Sequence, residues 1–226
     1  MADRERQSWW DIPVTIAIAL AVVLLITTFV VKPFSIPSGS MENTLQIGDR
    51  VLVNRMVYRF RDIERGDVVV FNGSGSFVPA EVVPDRDPIT GALVWVGQSF
   101  GLVAPDSTDF IKRVIGVGGD RVTCCDEQGR ILVNGEPLEE SEYLFPGDAP
   151  SLQPFDVEVP EGTLWVMGDH RSASADSRVH LGDPGGGFVP EDSVVGRAMT
   201  VVWPLNRISN IPLPDYGSAV TEGASN

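Results

Sequence analysis

Residues 109–120 read Asp109-Phe110-Ile111-Lys112-Arg113-Val114-Ile115-Gly116-Val117-Gly118-Gly119-Asp120. Phe110 to Val117 is a short, β-branched run, and Gly118-Gly119-Asp120 closes it as a turn. Alternation along a strand puts Lys112 on the same face as Phe110 and Val114. A lysine facing inward on an apolar strand needs a reason. Burial lowers the pKa of an amine, and a neutral lysine can serve as a general base.

Similar runs flank this one. An alternating segment starts at Asp49-Arg50-Val51-Leu52-Val53 and continues to Val57. Asp67-Val68-Val69-Val70-Phe71 follows the turn residues Arg65-Gly66. Val122–Cys125 and Ile131–Val133 flank Asp126-Glu127-Gln128-Gly129, a hairpin turn. Thr163–Met167 runs into Gly168-Asp169, and Val194–Trp203 is stopped by Pro204. No 10–15-residue helices alternate with these strands, which argues against a parallel βαβ sheet. The expectation is a mainly β, antiparallel domain over 32–214, with an insertion at about 72–108 and a hairpin subdomain at about 121–162. Within the insertion, Ile89–Ala104 reads as a surface element with its own small core. A membrane-facing element is the alternative, because Trp95, Phe100 and their apolar neighbours cluster there.

The N-terminus differs in kind. Ile12–Val31 is 20 residues without a charge, bounded by Asp11 and Lys32. A helix of about 20 residues at ~1.5 Å rise spans a hydrocarbon core of ~30 Å. Trp9 and Trp10 stand just before it, where interfacial aromatics belong. The run is longer than a cleavable signal sequence, and no small-x-small site follows it. This predicts one N-terminal transmembrane helix after a short cytoplasmic tail, 1–11. Arg4 and Arg6 weakly favour a cytoplasmic N-terminus. The residues 215–226 read as a flexible tail.

The 226 residues carry 17 basic and 31 acidic side chains, a net charge of −14. That balance excludes nucleic acid as a natural partner. Two basic and three acidic residues precede Lys32, so −13 belongs to the domain after the anchor. Such a domain does not dock on lipid through a polybasic surface. Two His and two Cys argue against a multi-His metal site and a disulfide-dense scaffold, and no metal or cofactor is expected.

Two more motifs carry chemistry. Pro37-Ser38-Gly39-Ser40-Met41, with Thr44-Leu45-Gln46-Ile47-Gly48-Asp49, follows the anchor. Taken alone, a serine in such a loop reads as a turn residue. Gly168-Asp169-His170-Arg171-Ser172-Ala173-Ser174-Ala175-Asp176-Ser177-Arg178 is dense in small polar residues directly after an apolar strand. Together with the Lys112 strand and the block from Arg65 to Phe71, these motifs resemble bacterial type I signal peptidase, a membrane-bound Ser/Lys endopeptidase. The likeness runs from the anchor to about Pro204, with gaps at the insertion and the hairpins.

The resemblance implies an antiparallel β catalytic domain that cuts secretory preproteins after small-x-small sequences at the outer face of the bacterial cell membrane. Residue by residue, it implies Ser40 as nucleophile and Lys112 as general base. Ser38 matches the hydroxyl that joins the Ser40 N–H in binding the oxyanion. Ser174 matches the serine that orients the lysine, and Asp176 and Arg178 match a supporting ion pair. Phe34, Ile36, Met41, Leu45, Val51, Asp109 and Ile111 fall where the family lines its shallow pockets. A neutral lysine should lack a carboxylate partner, and alternation points Asp109 to the opposite face from Lys112. His170 stands where many relatives have Asn and reads as a hydrogen-bonding loop residue. His180 reads as a surface-loop residue, and Ser172 stands where some relatives have Asp.

Cys124 and Cys125 lie next to each other in a predicted strand, which points their side chains to opposite faces. A bond between them, free thiols and intermolecular pairing all stay open. Two other functions compete with the signal peptidase. One is a self-cleaving Ser/Lys peptidase, disfavoured by the anchor. The other is a non-catalytic membrane-anchored β-domain adaptor, disfavoured by the presence of both Ser40 and Lys112.

Overall fold

The computed structural model describes residues 11–79, 108–214 and 216. The segment 89–104 and nearly all of the two expected tails lie outside the described residues. Helix α1 covers Asp11–Phe29, and a turn at Val30 leads directly into a strand. The helix stops two residues short of the end expected for the anchor, because Val31 already belongs to the sheet. Side chains from Ile12 to Ala21 are exposed. Among the described residues, no helix is long and apolar enough to cross a membrane.

Among the described residues twelve strands follow: β1 (Val31–Ser35), β2 (Arg50–Asn54), β3 (Val68–Asn72), β4 (Asp109–Gly116), β5 (Arg121–Cys124), β6 (Ile131–Val133), β7 (Glu136–Pro137), β8 (Phe155–Glu158), β9 (Thr163–Met167), β10 (Val189–Pro190), β11 (Val194–Trp203) and β12 (Ser209–Asn210). The larger sheet runs β1-β2-β11-β3-β4-β9-β10, with β12 added to β11. The smaller runs β7-β6-β5-β8. The strand pairs in both sheets are antiparallel, so the expected mainly β, antiparallel architecture is found.

Position in the sheet explains the sequence of each strand. Strand β3 lies between β11 and β4 and is covered on both faces. Val68 and Val70 enter one core cluster, while Val69 and Phe71 enter another. A strand buried on both faces needs a continuous apolar run, which Val68–Phe71 supplies. Strand β1 is an edge, which is where Pro33 costs no ladder bond. The alternating segment from Asp49 to Val57 is shorter as a strand than expected: it stops at Asn54, whose side-chain oxygen accepts the N–H of Met56 and Val57 and starts a 3₁₀ turn.

The smaller sheet encloses its own core around Val122, Ile131, Val133 and Phe155, which meets Trp165 of β9. Strand β5 ends at Cys124, so the alternation expected through Cys125 does not operate there. The two cysteines are joined by a disulfide. The turn after β4 is fastened by Asp120, which takes Arg65 Nε at 2.7 Å, Asn134 Nδ2 at 2.9 Å and the Val117 N–H at 2.9 Å. A carboxylate so enclosed ties the β2–β3 loop, β4 and the hairpin subdomain together.

Trp165 packs between Phe155 and Phe188, with ring centroids 5.3 and 5.6 Å away. Its indole N–H is buried with no hydrogen-bond partner among the described residues. Trp165→Ala is expected to cost about 3–5 kcal/mol. Trp165→Phe should cost clearly less, because an aromatic ring is kept and no hydrogen bond is lost. Urea unfolding of the two variants checks the difference.

Candidate active site

Strands β4 and β9 pair as far as Arg113↔Met167. Beyond Met167 the chain leaves the sheet as Gly168-Asp169. Lys112 lies one residue past that last pair, at the point where the two strands part. On its other side β4 continues to pair with β3, through Lys112↔Val69 and Phe110↔Phe71. The alternation read from sequence holds: Phe110 and Val114 belong to the cluster on the Lys112 face, and Ile111 belongs to the cluster on the other.

The Ser-Gly-Ser turn lies against this point, with Ser40 beside Lys112. Its base is closed by Ile36 N–H to the Asp49 carbonyl and Gly48 N–H to the Ile36 carbonyl, both 2.9 Å. Met41 and Leu45, fully buried, pin the turn to the core. Asp49 receives Arg207 at 2.9 Å through both nitrogens and caps the Gln46 N–H at 2.8 Å. The turn therefore has little freedom, and it delivers Ser40 Oγ to 2.8 Å from Lys112 Nζ. Ser38 Oγ stands 3.5 Å from Ser40 Oγ.

Lys112 is 4% exposed, and its second hydrogen bond goes to the Ile111 carbonyl at 2.9 Å. Burial pushes its pKa down to about 8, against an upward pull from Asp176 and then Asp169. Both carboxylates already have a cation. Asp176 takes Arg178 Nε and Nη2, each at 2.8 Å, and Asp169 takes Arg113 Nε at 2.8 Å and Nη2 at 2.7 Å. Burial would raise the Asp176 carboxyl, but the Arg178 hydrogen bonds and charge and the Gly168 N–H hold it below its usual range. The pull on Lys112 is thus blunted at its source. Asp176 and Asp169 are thus the carboxylates that pull on the lysine.

The structure brings Ser38, Ser40, Lys112, Asp176 and Arg178 into one neighbourhood. Ser174 is buried beside them, with no hydrogen bond to Lys112; its hydroxyl is close enough to Asp176 to help hold that carboxyl down. Phe34, Ile36, Met41, Leu45, Val51 and Ile111 form a single buried cluster. Asp109 is half-buried at the start of β4 and stands outside it. Ser172 donates its backbone N–H to Asp148 at 3.0 Å. His180 stacks on Phe77 and faces Asp183 at 2.6 Å.

Gly168 has a steric role. A Cβ there would collide with Ser174 Oγ and the Ser40 carbonyl oxygen. Sequence reasoning misses Arg113 as a site residue. It is fully buried, spans from Asp169 to the Gly66 carbonyl at 2.9 Å, and lies 4.2 Å from the Tyr143 ring centroid. Its signal in the sequence is a second cation inside an apolar strand.

Residues 9–203 match the family described as "Signal peptidase, peptidase S26". The chain belongs to that family. It is a serine endopeptidase, a hydrolase. A probable signal peptidase I of Mycobacterium leprae (strain TN) is 39% identical over 90% of this chain and 79% of its own length. The signal peptidase I of Mycobacterium tuberculosis (strain CDC 1551 / Oshkosh) is 39% identical over 90% and 75%. That of Leptolyngbya laminosa is 34% identical over 89% and 84%.

With Lys112 as the base proposed below, the Arg178–Asp176 pair should set the working pH of this peptidase. With Arg178→Met, the Asp176 charge is no longer offset and favours the ammonium form of Lys112. The lysine pKa then rises, and the acid limb of kcat/KM should move up by roughly 0.5–1 pH unit. A pH–rate series on a peptide substrate measures the displacement.

Proposed function

We propose that this chain is a membrane-bound signal peptidase that removes signal peptides from secreted preproteins after small-x-small sites, using Ser40 and Lys112. The observation that carries this reading is the 2.8 Å contact between the Ser40 hydroxyl and a buried lysine amine of lowered pKa. A serine hydroxyl becomes a good nucleophile only when a base takes its proton. Neutral Lys112 takes that proton as Ser40 Oγ attacks the scissile carbonyl. The oxyanion accepts hydrogen bonds from the Ser40 N–H and the Ser38 hydroxyl, donors worth roughly 2.7–4 kcal/mol each. Lys112 then gives its proton to the leaving amine. A water, deprotonated by Lys112, cleaves the acyl-enzyme and restores Ser40. In this reading Ser174 orients the amine, and Asp176 with Arg178 keeps that loop charged but balanced. The cycle balances without a metal or cofactor.

The edge of β4 left where β9 departs suits an extended peptide, which would add a strand beside Phe110–Lys112. Phe34, Ile36, Met41, Leu45, Val51 and Ile111 form the apolar floor beneath it, and Asp109 marks its end. A floor packed this tightly leaves room for small side chains only. In this reading Ile12–Val31 is the single membrane anchor, with the N-terminus cytoplasmic and the catalytic domain outside. Substrate and enzyme then share one bilayer, which raises their effective concentration.

Cleavage of a preprotein with an Ala-x-Ala site tests the mechanism. Ser40→Ala and Lys112→Ala should each lower kcat at least ~10³-fold; full activity in either overturns it. The sign of the pH dependence also follows. Below about 8 the lysine is charged and idle, so kcat/KM should fall tenfold per pH unit; at pH 7 only about a tenth is neutral. A flat profile between pH 6 and 8 would exclude Lys112 as the base.

A further inference from the structure

His170 touches the Ser-Gly-Ser turn twice. Its backbone N–H donates to the Ser40 carbonyl at 3.1 Å. Its ring Nδ1 lies 3.2 Å from the Gly39 carbonyl oxygen and 3.0 Å from Glu42 Oε2. A backbone carbonyl can only accept, and so can an ionised carboxylate. Nδ1 between two acceptors must therefore carry the proton. The ring is stacked on Phe145 with centroids 3.9 Å apart and planes 14° apart. Phe145 is itself held by its N–H to the Asp169 carbonyl at 2.9 Å. The imidazole is thus fixed in both orientation and tautomer.

These contacts grip the two peptide units on either side of the nucleophile. In a planar trans peptide the C=O and the N–H point in opposite directions. The Gly39 carbonyl also accepts the Glu42 N–H at 3.0 Å; with the imidazole as its second donor, it aims the Ser40 N–H the other way, away from His170. Holding the Ser40 carbonyl fixes the next unit. We propose that His170 is a positioning residue for the oxyanion site: its Nδ1–H sets the plane of the Gly39–Ser40 peptide and so the direction of the Ser40 N–H donor. This rests on Ser40 being the nucleophile. It assigns no proton transfer to His170.

The test compares three variants on the high-pH plateau, where Lys112 is neutral in all of them. His170→Phe keeps a ring on Phe145 but removes the donor. His170→Asn offers an amide N–H close to the place of Nδ1–H. His170→Asp has nearly the shape of Asn without a donor. Phe and Asp should lower kcat by ~10–100-fold with KM within threefold, less than the loss of a whole oxyanion donor. Asn should stay within about fivefold of the parent. A peptide aldehyde, which forms a tetrahedral adduct with a serine nucleophile, should lose affinity in proportion to kcat/KM. Binding of the cleaved product peptide should not change. If Phe does not fold, as judged by thermal unfolding, the Asn and Asp pair decides alone.

Equal kcat for Asn and Asp, or a loss confined to KM, overturns the proposal. If the unaltered chain fails to cleave an Ala-x-Ala preprotein, the functional reading fails instead, and the two failures are distinct.

Discussion

The Arg113–Asp169 ion pair is the contact on which the rest of this site depends. Both side chains are wholly buried, so neither charge could be carried without the other. The pair joins β4 to the loop after β9. Thr44 adds the Ser-Gly-Ser turn, donating its hydroxyl to Asp169 at 2.5 Å while lying 3.3 Å from Arg113 Nη2. Three segments far apart in the chain are therefore set at fixed distances by one guanidinium and one carboxylate. Burial opposes the Arg113 charge, but Asp169 more than offsets it and keeps the guanidinium ionised.

Neighbours on one strand thus meet opposite fates. Arg113 is buried with a carboxylate and stays charged. Lys112 is buried beside a hydroxyl and a carbonyl, and its pKa falls toward neutrality. Burial alone does not determine the protonation state; the partner does. The cations assigned to Asp176 and Asp169 let carboxylates rigidify the site without charging the lysine. Arg171 and Glu140 repeat the pattern behind the loop, where the Glu140 carboxylate also accepts the Tyr143 hydroxyl at 2.9 Å.

Much of the β architecture was legible because β-branched runs between turn residues leave few alternatives. Val68–Phe71, Thr163–Met167 and Val194–Trp203 show this plainly. Lys112 was legible for the same reason, since a cation breaks the apolar pattern around it. Strand β1 was hidden because its apolar start continues that of the helix and Pro33 argues against a strand. The disulfide was left open because it depends on β5 ending at Cys124. The partner of Arg113 lies 56 residues away, and no local pattern connects them. The reason for Gly168 is equally nonlocal, since the atoms it makes room for belong to Ser40 and Ser174. His170 could be read as a hydrogen-bonding residue, but its acceptors become known only when two loops are folded against each other.

The passage from α1 to the Ser-Gly-Ser turn has a mechanical meaning. One turn residue, Val30, separates the helix from β1, and its carbonyl is already bonded to the Arg55 N–H at 3.0 Å. Strand β1 is then laced to β2 over all five of its residues, a length of roughly 17 Å at the usual rise per residue. A loose linker would let Ser40 wander through a range of heights. A hydrogen-bonded strand acts as a ruler instead. If α1 is the anchor, the depth at which this enzyme meets its substrate is a dimension of the sheet.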